Sequence, residues 1–198
     1  MRLIERANYR SMPWKNGTSS TTQIAICPPD ATIDNFDWRI STAVVSSDGA
    51  FSGFPGIERT LVVLEGAGIN LAVAGKQSAA LTRLSAPFTF YADAAAHAAL
   101  INGPILDLNI MTRRDRFSHR VRRGSRLEAG VLIGATTVVY AHSAKLRINV
   151  NGQSNHIEMG DTAIFGADTR SLNIVSEGPG NYYLVEFSEV NGSGALSG

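Results

Sequence analysis

The feature that most constrains the fold of this chain is the alternation of apolar and polar residues in short segments. In the segment 36–41, three apolar residues alternate with three polar ones, so an extended strand places the two kinds on opposite faces. Gly, Pro, Asn and Asp separate segments of this kind, and helical periodicity is almost absent. Only the alanine-rich segment 92–100 resembles a helix. The pattern predicts an all-β chain of antiparallel strands.

A hairpin-like unit occurs twice, about half a chain apart. Segments 69–75 and 146–152 both alternate and both end in a glycine turn, and Asn151-Gly152 is a strong hairpin signal. Each is followed by a polar stretch and then by an aromatic-ended strand, at 87–93 and at 161–168. Any all-β chain can contain such a pair by chance. We nevertheless favour duplication, which predicts two related β-barrels.

The predicted boundary between the barrels lies near segment 113–123, which carries a third of the basic residues. We expect an N-terminal barrel over residues 1–112 with the ligand pocket, a C-terminal barrel over 113–190, and a flexible Gly/Ser-rich tail over 191–198. A solvated, salt-bridged connection explains the arginines best. Nucleic-acid binding would need a longer patch with exposed aromatic residues, which Phe117 alone does not supply.

Charge and cysteine content argue against several classes of function. With 18 Lys plus Arg against 17 Asp plus Glu, the net charge of +1 gives no global argument for binding nucleic acid or membranes. No apolar run approaches the roughly 20 residues that span a bilayer, and the first residues lack the apolar part of a signal peptide. Cys27 is the only cysteine, which is compatible with a reducing cytoplasm. We expect a cytoplasmic protein without nucleic-acid or membrane partners, and a homodimer is one of the open states of assembly.

The four histidines do not have the spacing of a metal site. They form no His-x-His pair, whereas a barrel that binds a transition metal is expected to offer clustered His and carboxylate ligands. Signature motifs of nucleophile elbows, phosphate loops and dinucleotide sites do not occur either. We therefore expect neither a metal nor another cofactor. These histidines are His97, His119, His142 and His156.

The segment 12–17, Met-Pro-Trp-Lys-Asn-Gly, reads as a shaped loop. Its proline restricts the backbone at the entry and Asn16-Gly17 is a turn signal, so the segment does not suit the interior of a strand or helix. We expect the loop to present Trp14, Lys15 and Asn16 together. The alternative is a surface turn whose indole merely covers the end of a barrel.

Polar residues also interrupt the apolar strands, where a buried charge must be paired or must face a ligand. For any one of them, an internal salt bridge is the simpler explanation, such as Asp107 with Arg39 or Arg59. Taken together with the loop, the set favours a polar pocket. The predicted ligand-binding residues are Trp14, Lys15, Asn16, Arg39, Ser41, Arg59, Asp107 and Asn109.

Five blocks of the chain resemble signature blocks of the HutD/Ves family: 13–17, 36–41, 51–59, 64–66 and 107–113. Members of that family are bacterial proteins with a two-barrel cupin fold, some encoded with histidine-degradation enzymes, and no catalytic activity is securely assigned to them. The resemblance implies a bicupin, that is, two cupin-like antiparallel β-barrels or jelly rolls in one chain. One departure concerns segment 17–23, where the family commonly has more glycines and a Thr-Glu pair. Gln23 replaces that carboxylate here.

Three hypotheses of function remain open at this point. The first, implied by the resemblance, is a metal-independent accessory or regulatory protein of histidine (amino-acid) catabolism that binds a small carboxylated metabolite. The second is a metal-free cupin enzyme, an isomerase or hydrolase, with Lys15, Glu58, Glu65 or Asp107 as general acid or base. The third is a structural or partner-binding protein whose arginines meet an acidic surface.

Overall fold

The computed structural model describes residues 1–13, 20–124, 126–128, 130, 136–169 and 171–190. Within these ranges the chain is all-β, which confirms the main prediction from alternation, and its strands form four sheets. The only helical turn in the described ranges is the 3-10 turn Arg6–Asn8. The segment 92–100, which resembled a helix, contains the strand Ala96–Leu100, since cross-strand pairing overrides the helix preference of alanine there. No helix in the described part of the chain is long and apolar enough to cross a membrane.

The first ten strands in chain order are β1 (Arg2–Ile4), β2 (Arg10–Pro13), β3 (Ser20–Cys27), β4 (Trp38–Val45), β5 (Gly49–Ala50), β6 (Ile57–Glu65), β7 (Ile69–Val73), β8 (Ala79–Leu81), β9 (Phe88–Tyr91) and β10 (Ala96–Leu100). The remaining strands are β11 (Ile105–Arg113), β12 (Phe117–Arg123), β13 (Leu127–Glu128), β14 (Thr136–Tyr140), β15 (Leu146–Val150), β16 (Gln153–Ile157), β17 (Thr162–Gly166), β18 (Leu172–Ser176) and β19 (Tyr183–Glu189).

Contacts divide the chain into two compact units. The N-terminal unit comprises residues 10–118 with Glu189 and Val190, and the C-terminal unit comprises residues 1–9 and 119–188. This division differs from the predicted 1–112 and 113–190, because β1 pairs with β17 and so joins the first residues to the C-terminal unit. The predicted tail, 191–198, lies outside the described residues.

The N-terminal unit consists of a six-stranded and a four-stranded sheet. The strand orders are β2-β3-β4-β11-β6-β9 and β5-β10-β7-β8. Val45, Leu61 and Val63 of the larger sheet share one hydrophobic core with Ile69 and Leu71 of the smaller sheet. This core occupies one end of β4 and β6, and the polar residues of the predicted pocket lie at the other end of the same strands.

The C-terminal unit consists of a five-stranded sheet, β1-β17-β14-β19-β12, and a four-stranded sheet, β13-β18-β15-β16. Its core contains Val139, Leu146, Ile148, Phe165 and Leu172, all of which are buried completely. Among the described residues of this unit, the most deeply buried polar side chains carry hydroxyl groups, as in Thr137, Thr162 and Ser176, whereas the N-terminal unit buries the arginines Arg39 and Arg59.

The strand orders of the two units correspond. β9-β6-β11-β4 in the first unit has the counterpart β17-β14-β19-β12 in the second, and β5-β10-β7-β8 has the counterpart β13-β18-β15-β16. The two hairpins detected as a sequence repeat, β7-β8 and β15-β16, occupy the same places in their sheets. Gly75 and Gly152 of their turns have positive φ values of 77° and 86°, a conformation that glycine adopts without strain.

Candidate functional site

The N-terminal unit contains a cavity of about 750 Å³ at the polar end of its larger sheet. Its floor is formed by β2, β3, β4, β11 and β6, and its walls are formed by the loops around residues 31–33 and 50–54. The lining residues are Arg10, Met12, Thr21, Gln23, Ala31, Thr32, Ile33, Arg39, Ser41, Ala43, Ala50, Phe51, Ser52, Phe54, Arg59, Asn109 and Met111.

Strand register brings the central floor residues onto one face. Asn109 of β11 lies opposite Ser41 of β4, and Met111 lies opposite Arg39 of β4 on one side and Arg59 of β6 on the other. Residues directly opposite each other in adjacent strands project from the same face of a sheet. Arg39 and Arg59 therefore flank Met111 on the face of the sheet that forms the cavity floor.

A bulge in β3 adds Gln23 to this face. Gln23 pairs with Ser41 immediately before a register shift between Gln23 and Ala25. Its side-chain oxygen Oε1 accepts a hydrogen bond from Nε of Arg39 at 3.0 Å. Bulges commonly redirect side chains beside functional sites, and this one places a neutral amide next to a buried cation.

Arg59, Asn109 and Asp107 form a hydrogen-bonded chain beneath the cavity. Nε of Arg59 donates to Oδ1 of Asn109 at 2.8 Å, and Nη2 of Arg59 donates to the same oxygen. The amide nitrogen of Asn109 donates in turn to Oδ1 of Asp107. Asn109 thus lies between a cation and a carboxylate that are both buried.

Burial shifts the pKa values of the charged members of this chain. Removal from water lowers the pKa of Arg59 to about 10, although the nearby Asp107 opposes the shift. Burial raises the pKa of Asp107 to about 7, against the attraction of Arg59 and the hydrogen bonds from Asn109 and the Ala43 backbone. Burial also lowers the pKa of Arg39. Each shift reflects the cost of holding an ionised group out of water.

An aromatic wall covers Arg59. The guanidinium carbon of Arg59 lies 4.3 Å from the ring centroid of Phe51, close enough for a cation–π interaction. The backbone N–H of Phe51 donates to the carbonyl of Ala96 at 2.9 Å, which fixes this part of the wall. The cavity therefore combines cationic groups with aromatic and aliphatic surface, an arrangement that can hold a carboxylate and a short carbon skeleton.

The structure brings together four of the eight predicted site residues, namely Arg39, Ser41, Arg59 and Asn109, as lining residues of one cavity. Asp107 differs from the expectation. It is fully buried and lies beneath Asn109, opposite Ala43 and Val63, where the hydrophobic core begins, so it does not line the cavity. The other three predicted residues, Trp14, Lys15 and Asn16, lie outside the described residues.

Several lining residues were absent from the prediction. Arg10 and Gln23 belong to β2 and β3, and their presence depends on the sheet order and on the bulge, which alternation does not reveal. Phe51 and Phe54 could have been identified from the sequence. They are two aromatic residues in a glycine-containing loop between strands, and such residues are available to cover the end of a barrel.

Three of the four residues considered as general acid or base are poorly placed for that role, and the fourth, Lys15, lies outside the described residues. Glu58 and Glu65 are not among the described lining residues, and Asp107 is covered by Asn109. Within the described ranges, no group of three or more His, Cys, Asp or Glu side chains is placed to hold a metal ion. That the protein uses no cofactor stays a prediction.

A sequence model of the HutD family matches residues 6–184 of the chain. Protein Ves of Citrobacter koseri is 42% identical over 127 residues, which cover 62% of this chain and 65% of that protein. The match thus spans just under two thirds of the length of that relative. A protein of Pseudomonas putida described as an uncharacterized 21.2 kDa protein in the hutC 3' region is 29% identical over 77% of this chain and 80% of its own length.

Solved structures with the same architecture come from two other pseudomonads. A conserved protein of unknown function from Pseudomonas aeruginosa has a TM-score of 0.85 at 30% identity, covering 94% of this chain and 98% of that chain. HutD from Pseudomonas fluorescens has a TM-score of 0.82 at 26% identity, covering 96% of this chain and 99% of that chain. More distant neighbours at 14% identity or less share the cupin-like all-β fold alone.

Proposed function

Since the chain belongs to the HutD family, we propose that it is a metal-independent binding protein for a small carboxylated metabolite, with an accessory or regulatory role in histidine (amino-acid) catabolism. The observation that carries this proposal is a cavity with three arginines and, among its described lining residues, no carboxylate. Such a site has a surplus of positive charge that an acidic ligand can neutralise.

Arg39 supports an anionic ligand most directly. It is only 4% exposed, and among the described residues its guanidinium donates one hydrogen bond, to the neutral amide of Gln23. A buried cation is costly unless it is paired. A ligand carboxylate supplies the missing charge and can accept two parallel hydrogen bonds from the planar guanidinium.

The remainder of the cavity suits the carbon skeleton of such an acid. Met12, Phe51, Phe54 and Met111 supply apolar surface around the arginines. The volume of about 750 Å³ is within the range of small-molecule sites, roughly 300–1,000 Å³. The hydroxyl of Ser41 is available to donate to the acid or to accept from another group of the ligand.

The pathway assignment is supported by the names of two relatives. The protein of Pseudomonas putida is described by its position in the hutC 3' region, and the structure from Pseudomonas fluorescens is named HutD. We extend the histidine-utilisation context of these names to the present chain as part of the proposal. The single cysteine, which allows no internal disulfide, is compatible with action in the cytoplasm.

We further propose that the two units are the two cupin-like barrels of a bicupin. The corresponding strand orders of the units support this arrangement, and so does the shared position of their β7-β8 and β15-β16 hairpins. The cavity and the buried arginines Arg39 and Arg59 belong to the N-terminal unit, which supports placing ligand binding in that unit.

Binding without turnover is favoured over a metal-free isomerase or hydrolase. Of the acid–base candidates named from the sequence, Glu58, Glu65 and Asp107 do not line the cavity, and Lys15 lies outside the described residues. The described lining groups instead suit recognition, because arginine guanidinium groups remain protonated and are poor proton carriers near neutral pH.

The test is a calorimetric and thermal-shift screen of urocanate, N-formylglutamate and glutamate against the intact chain. We expect at least one acid to bind saturably and to be recovered unchanged. Arg39→Ala should weaken that binding, whereas Arg120→Ala, which removes an exposed arginine outside the cavity, should leave it unaltered. Conversion of the acid would favour the enzyme, and failure of all three acids to bind would refute the proposal.

A further inference from the structure

We infer that the cavity selects acids that carry no ammonium group, and that Gln23 and Asn109 determine this selectivity. The inference rests on the proposed function, because it names the class of acid that the same cavity takes. It follows from which polar atoms of the floor are already used within the protein and which are left for a ligand.

The amide orientation of Asn109 is fixed by its two partners. An arginine side chain has donors and no acceptor, so the amide oxygen must face Arg59. Asp107 on the other side accepts from the amide nitrogen of Asn109. The carbonyl oxygen and one N–H are thereby used, and Asn109 can offer a ligand only its second N–H.

Gln23 is constrained in the same way. Its Oε1 accepts from Nε of Arg39, which leaves the two N–H groups of the Gln23 amide available at the cavity. Both amide side chains of the floor therefore direct their oxygens to arginines. What they can present to a ligand is a set of donors, suited to the oxygens of an acid.

The charges of the lining residues, like the amide donors, favour an acid over an amino acid. Arg10, Arg39 and Arg59 line the cavity, and none of its described lining residues carries a carboxylate. The acidic residue of this floor, Asp107, is completely buried beneath Asn109. Hydroxyl groups such as that of Ser41 are neutral and can donate to an anion. An ammonium group would thus lie near like charges without an ionised acceptor, so an amino acid should bind more weakly than the corresponding acid without the ammonium group.

The experiment compares pairs of acids that differ in the ammonium group, by calorimetry on the full chain at constant ionic strength. The pairs are glutarate with glutamate and imidazole-4-propionate with histidine. We expect at least one of the two unaminated acids to bind, and its amino counterpart to bind roughly a hundredfold more weakly. The selectivity is overturned if an amino acid binds within about threefold of its partner, or if neither glutarate nor imidazole-4-propionate binds.

Failure of this inference is distinguishable from failure of the proposed function. In one outcome, urocanate or N-formylglutamate binds in the screen while each acid of a pair binds as tightly as its amino counterpart. That result supports the binding function and refutes the selectivity. If no acid binds in either experiment, both the function and the selectivity are refuted.

A charge variant supplies a second measurement. Gln23→Glu adds a carboxylate to the lining next to Arg39 and changes little in shape, so the ratio of affinities between acid and amino acid should fall by about tenfold or more. Gln77→Glu is the matched control, because Gln77 is exposed and is not a lining residue. It should leave the ratio unchanged. An unchanged ratio in Gln23→Glu would overturn the role of Gln23.

Discussion

The amide oxygen of Asn109 accepts hydrogen bonds from both Nε and Nη2 of Arg59, in the buried interior of the N-terminal unit. This pairing holds a guanidinium at the cavity without placing a carboxylate in the lining. The nearby acidic residue is Asp107, which accepts a hydrogen bond from the Asn109 amide and is not among the described lining residues. The Arg59 guanidinium is therefore held in place by a neutral amide, and it can still attract the carboxylate of a ligand.

Replacing Asn109 by Ala should destabilise the fold by about 2–4 kcal/mol, because Arg59 and Asp107 both lose their partner and remain buried. Urea unfolding monitored by fluorescence measures this change. Asn70→Ala, at an exposed position in the same unit, is the control and should change stability by less than about 0.5 kcal/mol. A similar effect of both variants would contradict the role assigned to Asn109.

Asp107 should give the stability a distinct pH dependence. Its pKa is about 7 in the folded protein and near 3.8 when exposed, so between about pH 4 and 7 the folded chain holds a proton that the unfolded chain lacks. This contribution to stability therefore decreases as the pH rises through that window. Asp107→Asn should remove it, so the stability of the variant relative to the original protein should rise by about 1.4 kcal/mol per pH unit. Parallel stability curves of the two proteins would contradict the prediction.

His119 should show the opposite behaviour. Burial lowers its pKa to about 4, so the folded protein favours the neutral imidazole. The stability that this provides is present above about pH 6.5 and is lost as the pH falls towards 4. Proton NMR should show one imidazole, assigned by its absence in His119→Gln, that begins to titrate only below about pH 5. A midpoint for that signal near 6.5 would refute the assignment.

Arg39→Ala should weaken binding of a carboxylated ligand by about 2–5 kcal/mol, because a buried charge pair is lost. The loss of folding stability should be smaller than the loss of binding. Among the described residues, the Arg39 guanidinium donates one hydrogen bond, to the neutral amide of Gln23. Calorimetry and urea unfolding on the same preparation separate the two effects. Equal losses in binding and in stability would indicate that Arg39 is an internal scaffold.

Tyr9→Phe should lower the stability of the C-terminal unit by about 1–2 kcal/mol. The Tyr9 hydroxyl donates to the carbonyl of Gly160 at 2.6 Å and lies 2.7 Å from Oγ1 of Thr162, so its removal leaves a carbonyl and a hydroxyl without that partner. Tyr91→Phe, at a largely exposed ring, should have little effect in a thermal unfolding comparison. No change in Tyr9→Phe would argue against its place in the C-terminal unit.

The all-β class could be predicted from the sequence, and so could the shared face of several residues that line the candidate cavity, because alternation within a strand shows which side chains share a face. Arg39 with Ser41, and Asp107 with Asn109, were grouped correctly in this sense. Alternation does not show how far along a strand the apolar core extends, so Asp107 was placed in the cavity although it lies beneath it.

Neighbour relations between strands are the other source of error. Gln23 contacts Arg39 because β3 pairs with β4 and has a bulge beside Gln23. Neither the pairing nor the bulge can be read from the alternation of residues within one strand. Likewise, the predicted N-terminal barrel includes residues 1–9, whereas β1 pairs with β17 and groups by its contacts with the C-terminal unit.

That pairing has a consequence for the order of events during synthesis. Tyr9 and Thr162 are 153 residues apart in the chain. On a ribosome that adds about 5–20 residues per second, β1 waits roughly 8–30 s before the strand it joins has been made. Residues 10–118 are contiguous and nearly complete the N-terminal unit, so the cavity-bearing unit can assemble while the remainder is translated. β1 is thus synthesised long before β17, and it can pair only late in synthesis.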